Sequence, residues 1–340
     1  MNIITEGPGD WQAYPFRSDN IGLTTEQLKT KYLQENLQFQ SFVAQQLYQL
    51  SQGGVKVSYL SFSTTDELMS AVRSWFSTPS TVEEKYGPIG QWNVSLITEF
   101  EDVFSVPDND LPATFNEDIS GWDMSNATDL SEMFQGQINF NQNLSNWDVS
   151  NVTVFDDVFK NCAAYNNGGL QGGFNDAPLN WDVSSGEDFS GVFNGAAAFN
   201  QNINSWNVSN ATDMEDMFKN AAAFNKRLDT WNVEKVTNMT SMFNGASTIN
   251  LTTTAIASWN PFALTVATNF MTGLIDGDGN RSGYAAILIA WGAHAAAGQI
   301  PAAIGNVDFG AVKYNGSGAA STGRAQLVSR GFVPLDGGTI

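Results

Sequence analysis

FNQNINSWNVSNATDMEDMFKNAAAFNKRLDTW, residues 199–231, holds one complete sequence repeat and the start of the next. Phe199 and Phe224, each followed by Asn, are 25 residues apart, and the same distance separates Trp206 from Trp231. A period near 25 residues with a fixed internal order predicts a solenoid of stacked repeats. The tryptophan series runs along most of the chain: Trp92, Trp122, Trp147, Trp181, Trp206, Trp231 and Trp259.

The first half of the repeat fits a short strand. Ile203, Trp206 and Val208 have the spacing of the inward-facing positions of a leucine-rich repeat, and a turn is expected at 209–210. Successive side chains of a strand face opposite ways, so the neighbours of each Trp are expected to be exposed. They are predicted to form one partner-binding face, or else only to keep that side soluble: Gly121, Asp123, Asn146, Asp148, Asn180, Asp182, Ser205, Asn207, Thr230 and Asn232.

The second half of the repeat fits a short helix. Thr212 is placed to cap its N-terminus, with Glu215 three residues on. Met214, Met217 and Phe218 lie at i, i+3 and i+4 and are expected to point into the stack. Neither element can bury its apolar side alone, so we predict an α/β, leucine-rich-repeat-like solenoid of about 25-residue strand–helix repeats. A series of turn asparagines is expected to bond backbone groups: Asn116, Asn141, Asn175, Asn200, Asn225 and Asn250.

The pattern divides the chain into four predicted parts. Residues 1–60 form an irregular arm and an amphipathic helix, and 61–91 an N-terminal cap with a helix over 64–76 whose N-cap is expected to be Thr65. The repeats follow over 92–283, and 284–340 is a C-terminal cap of helix, strand (306–314), helix and strand. The first helix either packs on its own domain or docks on another subunit, because little else nearby could cover its apolar stripe. We predict docking, through Trp11, Tyr14, Phe16, Leu28, Tyr32, Phe39, Val43, Leu47 and Leu50.

Composition limits the partners. The formal net charge of −20 repels phosphate backbones and anionic lipids, so nucleic acid and membrane surfaces are not expected as partners. The most apolar run, 284–307, is interrupted and too short in its helical part to span a bilayer. The N-terminus lacks the charged and apolar regions of a signal peptide. Cys162 replaces an Ala of the sister repeats, so it is interpreted as a small core residue.

Groups able to perform catalysis are sparse. His294 is the only histidine, so no Ser-His-Asp or Cys-His arrangement with a well-placed base is expected. The pair Asp156–Asp157 is interpreted as charge at a helix start. We therefore predict no enzyme activity and no cofactor. Asp276, Asp278 and Asn280 resemble the start of a calcium loop, but Arg281 occupies the place of its glycine; the alternatives are a bound cation and a plain turn.

Three phrases, WDVSNVT (147–153), WNVSNATDMEDMF (206–218) and AAAFNQNINSW (196–206), resemble the BspA-type leucine-rich-repeat-like family, also called the mycoplasma-lipoprotein-type repeat. The resemblance extends over about 61–340. It implies right-handed stacking, display at a surface, and adhesion or contact with other proteins, with no catalytic residues. Residues 1–60 lie outside it.

These observations predict a non-enzymatic structural or recognition protein. Because family members act outside cells while no export signal is visible here, we expect a virion component, such as a capsid decoration or a tail or fibre protein. A cell-surface adhesin exported by a nonstandard route is the alternative, and a carboxylate-based glycosidase is a remote one. The expected partners are structural subunits through residues 1–60 and a host-surface protein or glycan through the solenoid, with homo-oligomerisation left open.

Overall fold

A computed structural model describes residues 59–169, 178–300 and 305–340, which belong to one unit, Tyr59–Ile340. Its regular elements lie mostly towards the two ends of that unit. The α-helices are α1 (Thr65–Ser77), α2 (Pro79–Tyr86), α3 (Val106–Asn109), α4 (Leu251–Thr254), α5 (Asp278–Ala296) and α6 (Gly318–Ser329). Two 3₁₀-helices span Ile89–Gln91 and Ile256–Ser258, and the strands are β1 (Gly305–Asp308) and β2 (Phe332–Leu335).

Helix α1 covers the beginning of the repeats. Its N-cap is Thr64, whose hydroxyl oxygen accepts a hydrogen bond from the Glu67 amide at 3.2 Å. The prediction of Thr65 as the cap is therefore wrong by one residue; the Thr65 hydroxyl donates instead to the Glu99 carbonyl at 2.7 Å. Since capping satisfies a helix N–H that would otherwise lack a partner, Thr64 fixes where α1 begins.

The repeats are built from turns. Among the described residues between Asp110 and Asn250, no helix or extended strand is formed, and each repeat contributes only a single-residue parallel bridge. The expected strand at 203–208 and the expected helix after Thr212 are both wrong. The Thr212 hydroxyl donates to the Glu187 carbonyl of the preceding repeat at 3.2 Å. The bridges join Glu99, Asp129, Val154, Asp188, Asp213, Asn238 and Val266 in sequence.

Backbone conformation explains why the helix does not form. Asp216 and Asn220 have φ of 55° and 58°, in the left-handed region, which interrupts the right-handed run that a helix requires. The Phe218 amide donates to Met242 of the next repeat at 2.8 Å, whereas the Met217 amide closes a turn on Met214 at 3.4 Å. Backbone N–H groups therefore alternate between hydrogen bonds to the next repeat and hydrogen bonds within their own turn. In this way they find acceptors without a helix or an extended strand.

The core consists of rows of equivalent apolar side chains. Met214, Met217 and Phe218 are fully buried, as predicted. Phe134 and Phe159, in equivalent places, have ring centroids 5.7 Å apart and planes within 2° of parallel. Such offset aromatic contacts add about 0.5–1.5 kcal/mol per pair to the burial of ring area. Repetition of one aromatic position thus places each ring against its counterpart in the next repeat.

The C-terminal segment has the predicted order of helix, strand, helix and strand. Helix α5 begins at Asp278, earlier than expected, and β1 ends at Asp308 although the strand was predicted to reach Tyr314. β1 and β2 pair in parallel, with Gly305 opposite Phe332. Helices α5 and α6 approach closely where Gly292 meets Gly323. A Cβ at Gly292 would lie 2.3 Å from the Gly323 Cα, so this approach requires glycine. Over the described ranges, no helix is both long and apolar enough to cross a bilayer.

Candidate interaction face

The ten predicted face positions, called the tryptophan-flanking face below, are exposed in the structure, while the Trp between each pair is buried. Their expected exposure is confirmed, although it arises from turns and not from the alternation of a strand, and partner binding by this face stays a prediction. The positions are Gly121, Asp123, Asn146, Asp148, Asn180, Asp182, Ser205, Asn207, Thr230 and Asn232.

The carboxylates of this face help to fold their own turns. One oxygen of Asp123 accepts a bond from the Ser125 amide at 3.1 Å, and one of Asp148 accepts from the Ser150 amide at 3.1 Å. The Ser150 hydroxyl and amide lower the pKa of Asp148, since they stabilise its charged form. Asp182 bonds the Ser184 amide at 3.0 Å in the same way. Each carboxylate is therefore held in one orientation as part of an Asx turn.

The uncharged side chains of the face differ in how they are bonded, and Thr230 is bonded to Asn204 of the preceding repeat through both its hydroxyl and its backbone amide. Asn207 and Asn232 repeat the Asx turn with the amides two residues on, at 3.2 and 3.0 Å. In contrast, Asn146, Asn180 and Ser205 form no side-chain hydrogen bond to any residue of the described ranges, so their polar atoms are accessible to a partner.

Buried tryptophans connect the repeats beneath this face. The Trp147 indole N–H donates to the Ile119 carbonyl at 3.1 Å, and the Trp181 indole donates to Leu144 at 2.9 Å. The Trp206 indole continues the series, bonding the Leu179 carbonyl at 2.7 Å. The sequence predicted buried indoles but not these bonds, for which the only sequence signal was the choice of Trp over Phe at every repeat. They fix the spacing of the face residues on either side.

A row of asparagines forms a second connection. The backbone N–H of an asparagine in this row donates to the side-chain oxygen of its counterpart one repeat earlier. Examples are Asn225 to Asn200 at 2.9 Å and Asn250 to Asn225 at 3.0 Å. The expected bonding of backbone by these residues is confirmed. Asn175 lies outside the described residues, and Asn166 takes its place in the row, between Asn141 and Asn200, at 2.8 and 2.9 Å.

A group of acidic side chains lies close to the bridges, and only the pair Asp156–Asp157 among them was recognised in the sequence. Partial burial raises the pKa of Asp156 to about 6, and the Ser190 hydroxyl donates to its carboxylate at 2.9 Å. Burial also raises the pKa of Asp157, which pairs with Lys160. Since no helix starts here, the interpretation of this pair as helix-start charge is wrong. Nearby, carboxylate oxygens of Asp102, Asp108 and Glu132 lie within 4.8 Å of one another.

The remaining reactive groups serve the fold. The Cys162 thiol is buried and bonded to the Phe134 carbonyl at 2.9 Å, and burial raises its pKa, which disfavours a nucleophilic thiolate. The His294 ring lies 2.9 Å from the Gln299 side-chain oxygen and edge-on to Phe262. Neither group faces an acid or base partner among the residues described.

The calcium-loop resemblance is not matched by the geometry. The Arg281 guanidinium binds the Asp276 carboxylate and lowers its pKa to about 2. Asn280 is buried, with its oxygen accepting from the Leu251 amide and its nitrogen donating to Ile275. Asp278 is the first residue of α5. The side chains of Asp276 and Asn280 are therefore engaged by groups of the protein itself around the start of α5.

The predicted anchor lies outside the described residues. It comprises Trp11, Tyr14, Phe16, Leu28, Tyr32, Phe39, Val43, Leu47 and Leu50. Docking through these residues stays a prediction.

Comparison with known proteins identifies a family by sequence. Two overlapping matches, over residues 70–172 and 170–259, fit the model of a family described as "Mycoplasma protein of unknown function, DUF285". Together they cover more than half of the chain, including most of the tryptophan series. No curated protein and no solved structure matched. Because the matched stretch is the repeat region, this chain belongs to the mycoplasma DUF285 repeat family.

Proposed function

We propose that the chain is a BspA-type, leucine-rich-repeat-like solenoid that acts as a non-enzymatic recognition protein through its tryptophan-flanking face. The observation that carries the proposal is the exposure of all ten face positions above a row of bonded indoles. Repeat proteins of this kind present extended surfaces to other macromolecules. The proposed partner is a protein, and a surface glycan is the alternative.

Pre-organisation of the polar groups supports this function. The carboxylates of Asp123, Asp148 and Asp182 are held by Asx turns, so a partner would not have to order them on binding. Ordering costs about 0.5–1.5 kcal/mol for each side chain immobilised at an interface. A face that has already incurred this cost during folding binds more tightly than one of freely rotating side chains.

The test replaces three face charges together. Simultaneous Lys substitution at Asp123, Asp148 and Asp182 should abolish retention of the labelled protein on host cells. Because each substitution also removes the acceptor of an Asx turn, the thermal midpoint should fall, but the protein should still unfold in one cooperative transition. A matched variant carries Lys at Glu84, Glu101 and Glu187, which are exposed elsewhere and change the net charge equally. Unchanged retention of the first variant, or equal loss in both, would remove this face from consideration.

For location we propose the surface of a virion, with the cell surface as the alternative. The supporting argument is the resemblance of the repeats to a family whose members are displayed at surfaces and contact other proteins. Antibodies raised against the repeats should label purified particles. Labelling of intact uninfected cells, with unlabelled particles, would favour the adhesin instead.

A further inference from the structure

An open groove of about 460 Å³ lies where α1 and α2 meet the first two repeats. Its wall includes one large aromatic ring and three carboxylates, and no Lys or Arg contributes to it. The residues that carry the argument are Trp75, Glu83, Gly90, Glu117, Asp118 and Gly121. Only Gly121 is shared with the tryptophan-flanking face.

Two glycines allow this groove to exist. A Cβ at Gly90 would lie 2.4 Å from the Asp118 carbonyl oxygen, closer than any real Cβ contact, and one at Gly121 would lie 3.2 Å from the Gly90 carbonyl. The 3₁₀-helix Ile89–Gln91 and the segment 118–121 of the next repeat therefore approach backbone to backbone. A side chain at either glycine would force these segments apart and change the shape of the groove that they line.

The aromatic wall is fixed by packing. The Trp75 ring makes edge contacts with Phe76 and Phe115, at centroid distances of 5.2 and 5.9 Å. Trp75 itself is only half-buried, so part of its surface remains open to the groove. Trp is the aromatic side chain whose ring attracts cations most strongly, so the open part of Trp75 gives the groove a candidate cation–π contact.

The carboxylates of the groove lack cationic partners. Across the described ranges, Glu83, Glu117 and Asp118 take part in no ion pair. Lys85, on the same helix as Glu83, lies against Glu67 and Tyr86. The Ser120 amide donates to Asp118 at 3.0 Å, and bonding to Ser120 lowers the pKa of Asp118, so this carboxylate is charged at neutral pH.

We propose that this groove is a binding site for an arginine side chain of a protein partner. A guanidinium can stack on the Trp75 ring while its N–H groups reach carboxylate oxygens, which an ammonium group does less well. The net charge of −20 also favours the approach of a basic segment. The site goes beyond the tryptophan-flanking face and does not require that the face bind anything.

The test is calorimetric titration of the full-length protein with the peptide acetyl-Gly-Arg-Gly-Arg-Gly-amide. We expect binding that weakens as salt rises, and at least about tenfold weaker binding by the variant Glu83→Gln, Glu117→Gln, Asp118→Asn. The amides keep the shape of the acids, and the amide oxygen introduced at position 118 can still accept from Ser120. Glu84→Gln, next to Glu83 but outside the groove, is the matched control and should bind normally.

Three outcomes would overturn the proposal. Equal binding of a peptide with Gln in place of Arg would show that the cation is not recognised. Equal weakening by Glu84→Gln would show only a general charge effect. Loss of peptide binding in the variant Asp123→Asn, Asp148→Asn, Asp182→Asn, with the groove intact, would assign the peptide to the tryptophan-flanking face.

Trp75→Phe, which keeps a ring against Phe115, should weaken binding to a lesser degree than the charge variant.

Discussion

At the residue scale, the asparagine row shows how one side chain can join two repeats. The side-chain oxygen of Asn200 accepts from the backbone N–H of Asn225 at 2.9 Å. The backbone N–H of Asn200 donates in turn to the side-chain oxygen of Asn166 at 2.9 Å. An alanine at such a position leaves a half-buried N–H without its partner. Leaving a donor unsatisfied costs more than the net worth of an ordinary hydrogen bond.

Asn200→Ala should therefore lower the free energy of unfolding by about 1–2 kcal/mol. Asn200→Asp is the control, because a carboxylate oxygen can still accept from the Asn225 amide. Urea titration of both variants measures the difference. If the Asp variant is destabilised as much as the Ala variant, the bond to Asn225 is not what stabilises this turn.

Asp156 provides a pH-dependent prediction. Its pKa of about 6 in the folded protein lies above its ordinary value, so between pH ~4 and ~6 the folded state retains a proton that the unfolded state has lost. The contribution of Asp156 to stability thus falls as pH rises through this window and remains low above it. Asp156→Asn should raise the free energy of unfolding by about 1 kcal/mol at pH 7.5 and by little at pH 4. The figure at pH 7.5 is smaller than the full pKa difference would give, because solvent screens a partly exposed carboxylate.

Thermal unfolding at both pH values checks this. Asp148→Asn is the opposite case, because the folded pKa of Asp148 is lowered by Ser150. Its charge stabilises above the unfolded pKa and ceases to do so as pH falls through the folded pKa, so this variant should lose stability at pH 7.5. A gain in both variants would indicate relief of general repulsion in an acidic protein.

At the scale of the repeat element, each indole combines burial with a bond to the preceding repeat. Trp206→Ala removes a ring that is 2 % exposed and should cost about 3–5 kcal/mol. Trp206→Phe keeps most of the apolar area but loses the donor to the Leu179 carbonyl, so about 1–2 kcal/mol is expected. Hydrogen exchange should show loosening in the neighbouring repeats as well, because their interfaces share the energy. Exchange confined to the mutated turn would contradict this coupling.

At the scale of the whole molecule, the unit Tyr59–Ile340 includes helices before the repeats and a helix–strand–helix–strand segment after them. Phe62 is fully buried and stacks on Tyr86, with ring centroids 4.2 Å apart, so the unit begins with core contacts of its own. We expect a chain of residues 59–340 to fold as a soluble monomer but to fail to join the particle or partner assembly. Calorimetry and light scattering test the first expectation, and a reconstitution assay tests the second. Aggregation of the shortened chain, or normal incorporation, would oppose the anchor prediction.

The sequence by itself determined the period and the burial. Fixed positions of Trp, Met and Phe in every 25-residue phrase are apolar in each copy, and burial of apolar area depends on residue type more than on backbone detail. For that reason the burial of each Trp and the exposure of its two neighbours could be predicted, whereas the asparagine bonds could be predicted from the turn preference of Asn. The groove beside Trp75 could not be predicted, because its residues come from α1, α2, the first 3₁₀-helix and a separate segment of the next repeat.

The tertiary structure decided the backbone of the repeat. Thr212 followed by Glu215 is a sound local signal for a helix, yet these residues form a bridge and turns. An isolated turn of helix is marginal, whereas amide groups that donate to the next repeat gain a partner in every copy. Asp216 and Asn220 tolerate the left-handed conformation that this pattern needs, at a cost that the interface between repeats must offset. Such an interface exists only once repeats lie against each other, so a single repeat could not reveal it.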